Sequence, residues 1–404
     1  MTIPEVSIAL GAAPTHRAMP LRIALIGGFG IGNFGNDASL EAVTAFLRAE
    51  RPDAELSCIC TTPSKTTFAG PVFAAALRPK GVWRWLDMAL LRLPSLTVNW
   101  FYSLWVLRRF DVILFPGTGV FDDFSDTPLG WPSRLLRWSL AARLRGVRLV
   151  FLSVGAGPIV NPVSRFLMKS AAKLAHHRSY RDTDSRTFMQ SIGVDEAASS
   201  VLPDVAFLLP SPPSPPRAAG GKVTIGVGVM KYSGWRKDDK IYENYVATQA
   251  RLIRWLEEQG HGVEILVGQT NDWHAVHDIG ERLGRSLVDA SRQHMGSLHD
   301  VMLACASTDV VVASRYHVQI AALQLGRPVI SLSYAPKNDA LLEQAGLQGF
   351  SQDINQVDFE LLTRQLEILT REHEHYAAIV AERVSAMRKR LRDALAELDL
   401  LGDE

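Results

Sequence analysis

Short, almost wholly apolar runs alternate with longer amphipathic ones along most of this chain, and that alternation restricts the fold more than any other feature. "LRIALIGG" (21–28), "AELSCIC" (54–60), "FDVILFPG" (110–117) and "VRLVFLSVGAG" (147–157) read as buried strands. "DASLEAVTAFLRAE" (37–50) and "WPSRLLRWSLAARLRG" (131–146) read as helices with one apolar face. Strands buried on both faces and separated by helices form parallel, doubly wound sheets. The pattern breaks at "LLPSPPSPPRAAGG" (208–221), where five prolines and no periodicity indicate an extended linker. A second alternating series follows: "KVTIGVGVM" (222–230), a helix ending at Gly260, "HGVEILVG" (261–268), a helix over 298–308, and the strand Val310 to Ala313. Residues 356–398 read as one long helix.

The expected architecture is therefore α/β, with two Rossmann-like domains facing across a cleft and a closing C-terminal helix. Residues 1–208 form the first domain, 209–221 the Pro-rich linker, 222–354 the second domain and 355–404 the helical segment. Ligands of such sheets bind at the carboxyl ends of the strands.

Composition excludes several classes. With 404 residues, 47% apolar, 21% charged and a formal net charge of +1, the chain has no electrostatic footprint for nucleic acid. Three cysteines supply neither a disulfide framework nor a four-thiolate metal site; Cys58 and Cys60 alternate within a strand and are read as core. The N-terminus lacks a basic region followed by a long apolar run, so no secretory leader is expected. The cytoplasm is the expected location, with the inner membrane face as the alternative. That alternative comes from "WRWLDMALLRLPSLTVNWFYSLWVLRRF" (83–110), interrupted by Asp87, Arg92 and Pro94 and read as two amphipathic helices. Residues 83–105 belong either to the core or to a peripheral membrane contact.

Candidate chemistry collects at strand ends. "VVASRYHVQIAALQLGRPVISLSY" (311–334) sends a buried strand straight into Arg315 and His317, and Lys337 follows the next strand. Two fixed cations and an imidazole suit a small polyanion. Arg181, in "YRDTDS", either pairs locally with Asp182 or Asp184 or joins that anion site. Asp204, before an apolar run, holds either the strand end or a basic partner. In "GGFGIGNFGNDASL" (27–40), Gly30, Asn33, Gly35 and Asn36 belong to a strand-to-helix loop of the kind that approaches ligands, with Asn36 or Asp37 available as helix cap. Thr118 in "FPGTGVF" and Gly155 in "SVGAGPI" mark two further Gly-rich strand ends. His274 and His277 lack a third ligand at motif spacing, so no metal site is expected. Phe151 takes the first position of a Gly-x-Ser-x-Gly elbow, which discounts a serine hydrolase.

Taken in order, "GGFGIGNFGNDASL", "SVGAGPI", "YRDTDS", "PDVAFLL" and "ASRYHVQIAALQLGRPVISLSYAPK" resemble the polysaccharide pyruvyl transferase family over roughly residues 22–345. The resemblance implies a GT-B-like pair of domains and transfer of the pyruvyl unit of phosphoenolpyruvate onto a sugar as a ketal. Its phosphoenolpyruvate-binding arginine fits Arg181, its Arg-x-His pair fits Arg315 and His317, and its later lysine fits Lys337. His317 is the expected acid for the methylene carbon, because an imidazole titrates near neutrality and nearby anions would keep it protonated. A carboxylate, Asp37 in the first instance, with Asp122 and Asp123 as other options, would accept a hydroxyl proton. No metal or cofactor is required by this scheme. The acceptor is expected to be a sugar, lipid-linked or not. Two departures concern loops expected to face that acceptor: Gly35-Asn36-Asp37 stands where the family commonly has Gly-Asp-Glu, and Pro116-Gly117-Thr118-Gly119 replaces a glycine run. A nucleotide-sugar-dependent GT-B glycosyltransferase and a non-catalytic glycan-binding member are the alternatives.

Overall fold

The computed structural model describes residues 20–90, 92–123, 126–213, 222–234, 238–288 and 295–397. The first sheet is built from β1 (Arg22–Gly27), β2 (Glu55–Cys60), β3 (Val72–Ala74), β4 (Val112–Pro116), β5 (Arg148–Val154), β6 (His177–Tyr180) and β7 (Ser200–Val201). Its order is β3-β2-β1-β4-β5-β6-β7, and every pairing is parallel. The second sheet uses β8 (Thr224–Val229), β9 (Gly262–Val267), β10 (Val310–Ala313), β11 (Val329–Ser333) and β12 (Ser351–Asp353), in the parallel order β12-β11-β10-β8-β9. Buried strands such as β4 and β10 have no outward polar face, which is why they read as continuous apolar runs. Cys58 and Cys60 are core residues of β2, as read from their alternation.

The crossovers of the first domain are α1 (Phe34–Glu50), the pair α2 (Val82–Ala89) and α3 (Leu93–Leu107), α4 (Trp131–Arg145), α5 (Pro162–Lys173) and α6 (Thr183–Ser191). The second domain adds α7 (Asp239–Glu258), α8 (Trp273–Leu283), α9 (Leu298–Ala306), α10 (Tyr316–Gln324) and α11 (Pro336–Gln344). The C-terminal stretch is two helices rather than one, α12 (Phe359–Arg371) and α13 (His373–Glu397), with Glu372 closing the first. Part of the linker, 214–221, lies outside the described residues. The two amphipathic helices around Pro94 are present. The core reading of 83–105 fails for α2, whose Asp87 is its buried residue; α3 buries Asn99, Ser103, Val106 and Leu107.

Helix α13 runs back onto the first domain. The Arg388 guanidinium donates to the Phe207 carbonyl at 3.0 Å, and to Ser211 and Gln324 at 2.7 Å each. Gln324 of α10 in turn donates to the Ala206 carbonyl at 3.0 Å. Residues 205–208 form a single 3-10 turn, so one short segment of the first domain is held by two helices of the second half. Arg388→Ala should strip three charge-assisted bonds at once and lower stability by about 2 kcal/mol, read as a lower denaturant midpoint.

Candidate active site

Arg181, Arg315, His317 and Lys337 converge at the facing carboxyl ends of the two sheets. Arg181 leaves the end of β6, and its side chain is 7% exposed. Its Nε lies 3.5 Å from Asp182 Oδ2 and its Nη1 3.5 Å from Asp204 Oδ2, ion-pair range but beyond a good hydrogen bond. The guanidinium rests 4.6 Å over the Tyr316 ring. Of the choices open in the sequence, the local pairing with Asp182 is present, and the guanidinium also reaches Asp204. Burial works against its charge, but Tyr316, Asp204 and Asp182 outweigh it and hold the guanidinium above its ordinary value.

Arg315 forms a two-pronged pair with buried Asp272, Nε to Oδ2 at 2.9 Å and Nη2 to Oδ1 at 2.5 Å. Asp272 also accepts from the Lys231 N–H at 3.0 Å, which fixes its carboxylate and hence the fork. A guanidinium has five N–H donors, so this pairing orients Arg315 without exhausting it. Asp272 lies in "TNDWHAVHD", a stretch whose two histidines drew the sequence reading away from the carboxylate between β9 and α8. Lys337, in the first turn of α11, sits 4.7 Å over the Tyr334 ring and 6.0 Å over that of Tyr316. Burial raises the Tyr334 phenol, yet Lys337, Arg315 and Arg181 together hold it below its ordinary value.

His317 sits in the first turn of α10, with Nε2 3.9 Å from Asp204 Oδ2. Burial is the main cause that lowers it to about 4; Asp204 opposes, while Arg181, Lys337 and Arg315 reinforce the shift. Asp204 alone does not outweigh desolvation and the three cations, so in this arrangement the imidazole is held neutral. Four buried polar atoms gathered here, Arg181 Nε, Asp182 Oδ2, Asp204 Oδ2 and His317 Nε2, find no hydrogen-bond partner among the described residues. Buried polar groups are nearly always satisfied, so a group of exceptions at one place calls for an explanation.

The Gly-rich loops act mostly as spacers. A Cβ on Gly35 would stand 2.0 Å from His317 Nδ1, and one on Gly155 would stand 2.5 Å from Arg181 Nη2. Glycine at these two positions lets the backbone approach the imidazole and the guanidinium. Asn33, rather than Asn36 or Asp37, caps α1, accepting from the N–H groups of Gly35 and Asn36. Asn33 also bridges to Gln269 of the second domain. Asn36 donates to the Gly28 carbonyl at 3.1 Å, and Asp37 Oδ1 accepts from the Gly30 N–H at 2.8 Å. Burial raises the Asp37 carboxyl, and its charge is felt by Cys58 and Cys60. Its described bond closes its own loop rather than joining the His317 cluster.

Gly30 is packed against the Thr62 carbonyl of its own domain, and its φ of 71° suits glycine. Thr118 is buried with a φ of 65°, and its carbonyl accepts from the Gly155 N–H at 2.7 Å. Ser153, also in the left-handed region, donates to the Leu202 and Pro203 carbonyls and so sets the segment that ends in Asp204. Asp123 accepts from the N–H groups of Val160 and Asn161 and ties two loops together. His277 meets Asp278 and Glu281 on an exposed face of α8, each at 3.8 Å, and His274 lies outside that cluster.

Comparison with known proteins gives the family and the fold. The family model described as polysaccharide pyruvyl transferase matches residues 33–336, and the chain belongs to that family. Among curated proteins no sequence matches significantly. Solved structures share the fold at low identity. A putative UDP-N-acetylglucosamine 2-epimerase from Listeria monocytogenes aligns with a TM-score of 0.59 at 12% identity, covering 95% of this chain and 99% of that one. The UDP-GlcNAc 2-epimerase from Neisseria meningitidis, bound to UDP-GlcNAc, gives 0.56 at 11%, covering 93% and 99%. The lipopolysaccharide outer core galactosyltransferase WaaB gives 0.51 at 14%, also covering 93% and 99%. The architecture is thus the two-domain GT-B arrangement.

The depressed His317 has a consequence for stability. The unfolded chain binds the proton near the ordinary 6.5 and the folded chain near about 4. The stabilisation from keeping His317 neutral is therefore complete above 6.5 and is lost as pH falls toward 4. Across that window the wild type should lose up to about 3 kcal/mol more than His317→Gln, read from denaturation midpoints at each pH.

Proposed function

We propose that this protein transfers the pyruvyl unit of phosphoenolpyruvate to hydroxyls of a polysaccharide sugar, forming a ketal and releasing phosphate. The observation that carries the reading is the gathering of buried polar atoms without hydrogen-bond partners at Arg181, Asp182, Asp204 and His317, in a chain of this family. Phosphoenolpyruvate presents a carboxylate and a phosphate on one enol carbon, and fixed cations on opposite sides of a narrow cleft would hold both.

The charge balance supplies the acid. Formally, Arg181, Arg315 and Lys337 are matched by Asp182, Asp204 and Asp272. An entering polyanion therefore leaves the site net negative, which favours protonated His317. Asp204 then becomes the partner of the imidazolium, positioned by the Ala206 N–H at 2.9 Å on its other oxygen. His317 gives its proton to the methylene carbon, leaving a cationic centre that Arg181 and Arg315 orient for attack. One sugar hydroxyl adds to the enol carbon, the carbon–oxygen bond to phosphate breaks, and the second hydroxyl closes the ketal. Of the two hydroxyl protons, one restores His317 and the other leaves with phosphate. This scheme uses no metal or organic cofactor. Asp37, closed onto Gly30, is not given the base in it.

Calorimetry tests the donor. Wild type should bind phosphoenolpyruvate, and Arg181→Ala or Arg315→Ala should weaken that binding about ten- to a hundredfold. Binding of UDP or GDP in place of phosphoenolpyruvate would sink the reading. A second measurement tests the acid. Titrations at about pH 6, in buffers of different ionisation enthalpy, should show roughly one proton taken up per donor bound, and none with His317→Gln.

A further inference from the structure

The α2–α3 pair carries a surface that this chemistry leaves unused. Trp83 and Trp85 of α2 are 72% and 70% exposed, and Phe101 and Trp105 of α3 are 69% and 49% exposed. Leu90 and Leu93, between the helices, continue the same apolar face at 56% and 61%. A folded chain rarely leaves so many large apolar side chains together in water unless something covers them.

The surrounding charge says what that is. Residues 77–109 hold Arg78, Lys80, Arg84, Arg92, Arg108 and Arg109, all exposed, against a single carboxylate, Asp87. Asp87 is buried and accepts from the Ser95 N–H at 2.9 Å, so it contributes little outward negative field. Arg108 follows Phe101 by seven residues and lies on the same stripe of α3, while Arg109 stacks 4.4 Å over Trp105. Beyond the end of α3 lies a cavity of about 510 Å³ whose lining includes Arg22, Arg108, Arg145 and Arg148, with Asp111 paired to Arg22. Tryptophans at the centre and arginines around them match a bilayer interface, where rings sit at headgroup depth and guanidinium groups reach lipid phosphates.

We propose that the α2–α3 face docks this protein onto an anionic lipid bilayer. Among the described residues no helix is long and apolar enough to cross a membrane, so the contact is peripheral. The α2–α3 pair connects the carboxyl end of β3 to the amino end of β4, so the docking face runs along the side of the first sheet. The docking does not rest on the proposed function.

Vesicle flotation of the full chain tests the inference. The protein should float with phosphatidylglycerol-containing vesicles and much less with pure phosphatidylcholine, and added salt should weaken the binding. Trp83→Ser with Trp85→Ser and Phe101→Ser, or Arg84→Glu with Arg108→Glu, should each reduce binding about tenfold or more. Both variants change exposed side chains, and unchanged thermal midpoints and phosphoenolpyruvate titrations would show them folded. Failure to float with anionic vesicles, or flotation unaffected by both variants, overturns the proposal. So does a dimer in sedimentation equilibrium that the triple variant turns to monomer, which would assign the face to a second copy of the chain. Flotation is read without donor or acceptor, so a failed phosphoenolpyruvate titration would leave its outcome standing.

Discussion

Asp204 is the group on which the site depends. Its carboxylate belongs to the first domain, is fully buried, and lies between Arg181 of its own domain and His317 of the other. One oxygen is committed to the Ala206 N–H, and the other is held in ion-pair range of both cation candidates without a hydrogen bond to either. A buried carboxylate is costly unless paired. Here the charged partner, Arg181, comes from the same domain, and His317 brings the second domain against the same oxygen. Gly35 marks the same contact sterically, since only a missing side chain lets α1 come up against the imidazole.

Much of this arrangement was legible in the sequence, because strand ends are legible. The apolar runs locate β1, β4, β5 and β10, and a charge placed directly after such a run has few positions open to it. Arg315, His317 and Lys337 were found that way, and Arg181 with them. Asp272 was missed because its partner Arg315 lies 43 residues further on, across the strand order β10-β8-β9, which no local pattern records. Asp204 stood out as a polar residue before an apolar run, but its partner lies more than a hundred residues away in the other domain. Asp37 is ambiguous for a related reason: a carboxylate at a helix start looks the same in sequence whether it faces a ligand or, as its bond to Gly30 shows, a neighbouring N–H. Trp-rich amphipathic helices are equally ambiguous, since the pattern shows an apolar face without showing what covers it.

The structural neighbours place limits on what the fold says. Epimerases and a galactosyltransferase share this architecture at identities of 11 to 14%. Two facing parallel sheets therefore define where ligands sit and leave their chemistry to the residues at the strand ends. In this chain those residues are a buried and a half-buried arginine, a lysine beside two tyrosines, and an imidazole held neutral by its surroundings. The stacking of Arg181 and Lys337 around Tyr316 keeps two cations close without a carboxylate between them, at the cost of burying a phenol raised well above its ordinary range.

The return of α13 to the first domain gives the molecule a fulcrum. Arg388 grips the Phe207 carbonyl, three residues from Asp204 along the same tight turn. In any rocking of one sheet against the other about that grip, points near it travel least. The gap between Asp204 and His317, beside that turn, would change little in such a motion. The last helix in the sequence thus ties the spacing of a pair shared by the two domains to the far end of the chain.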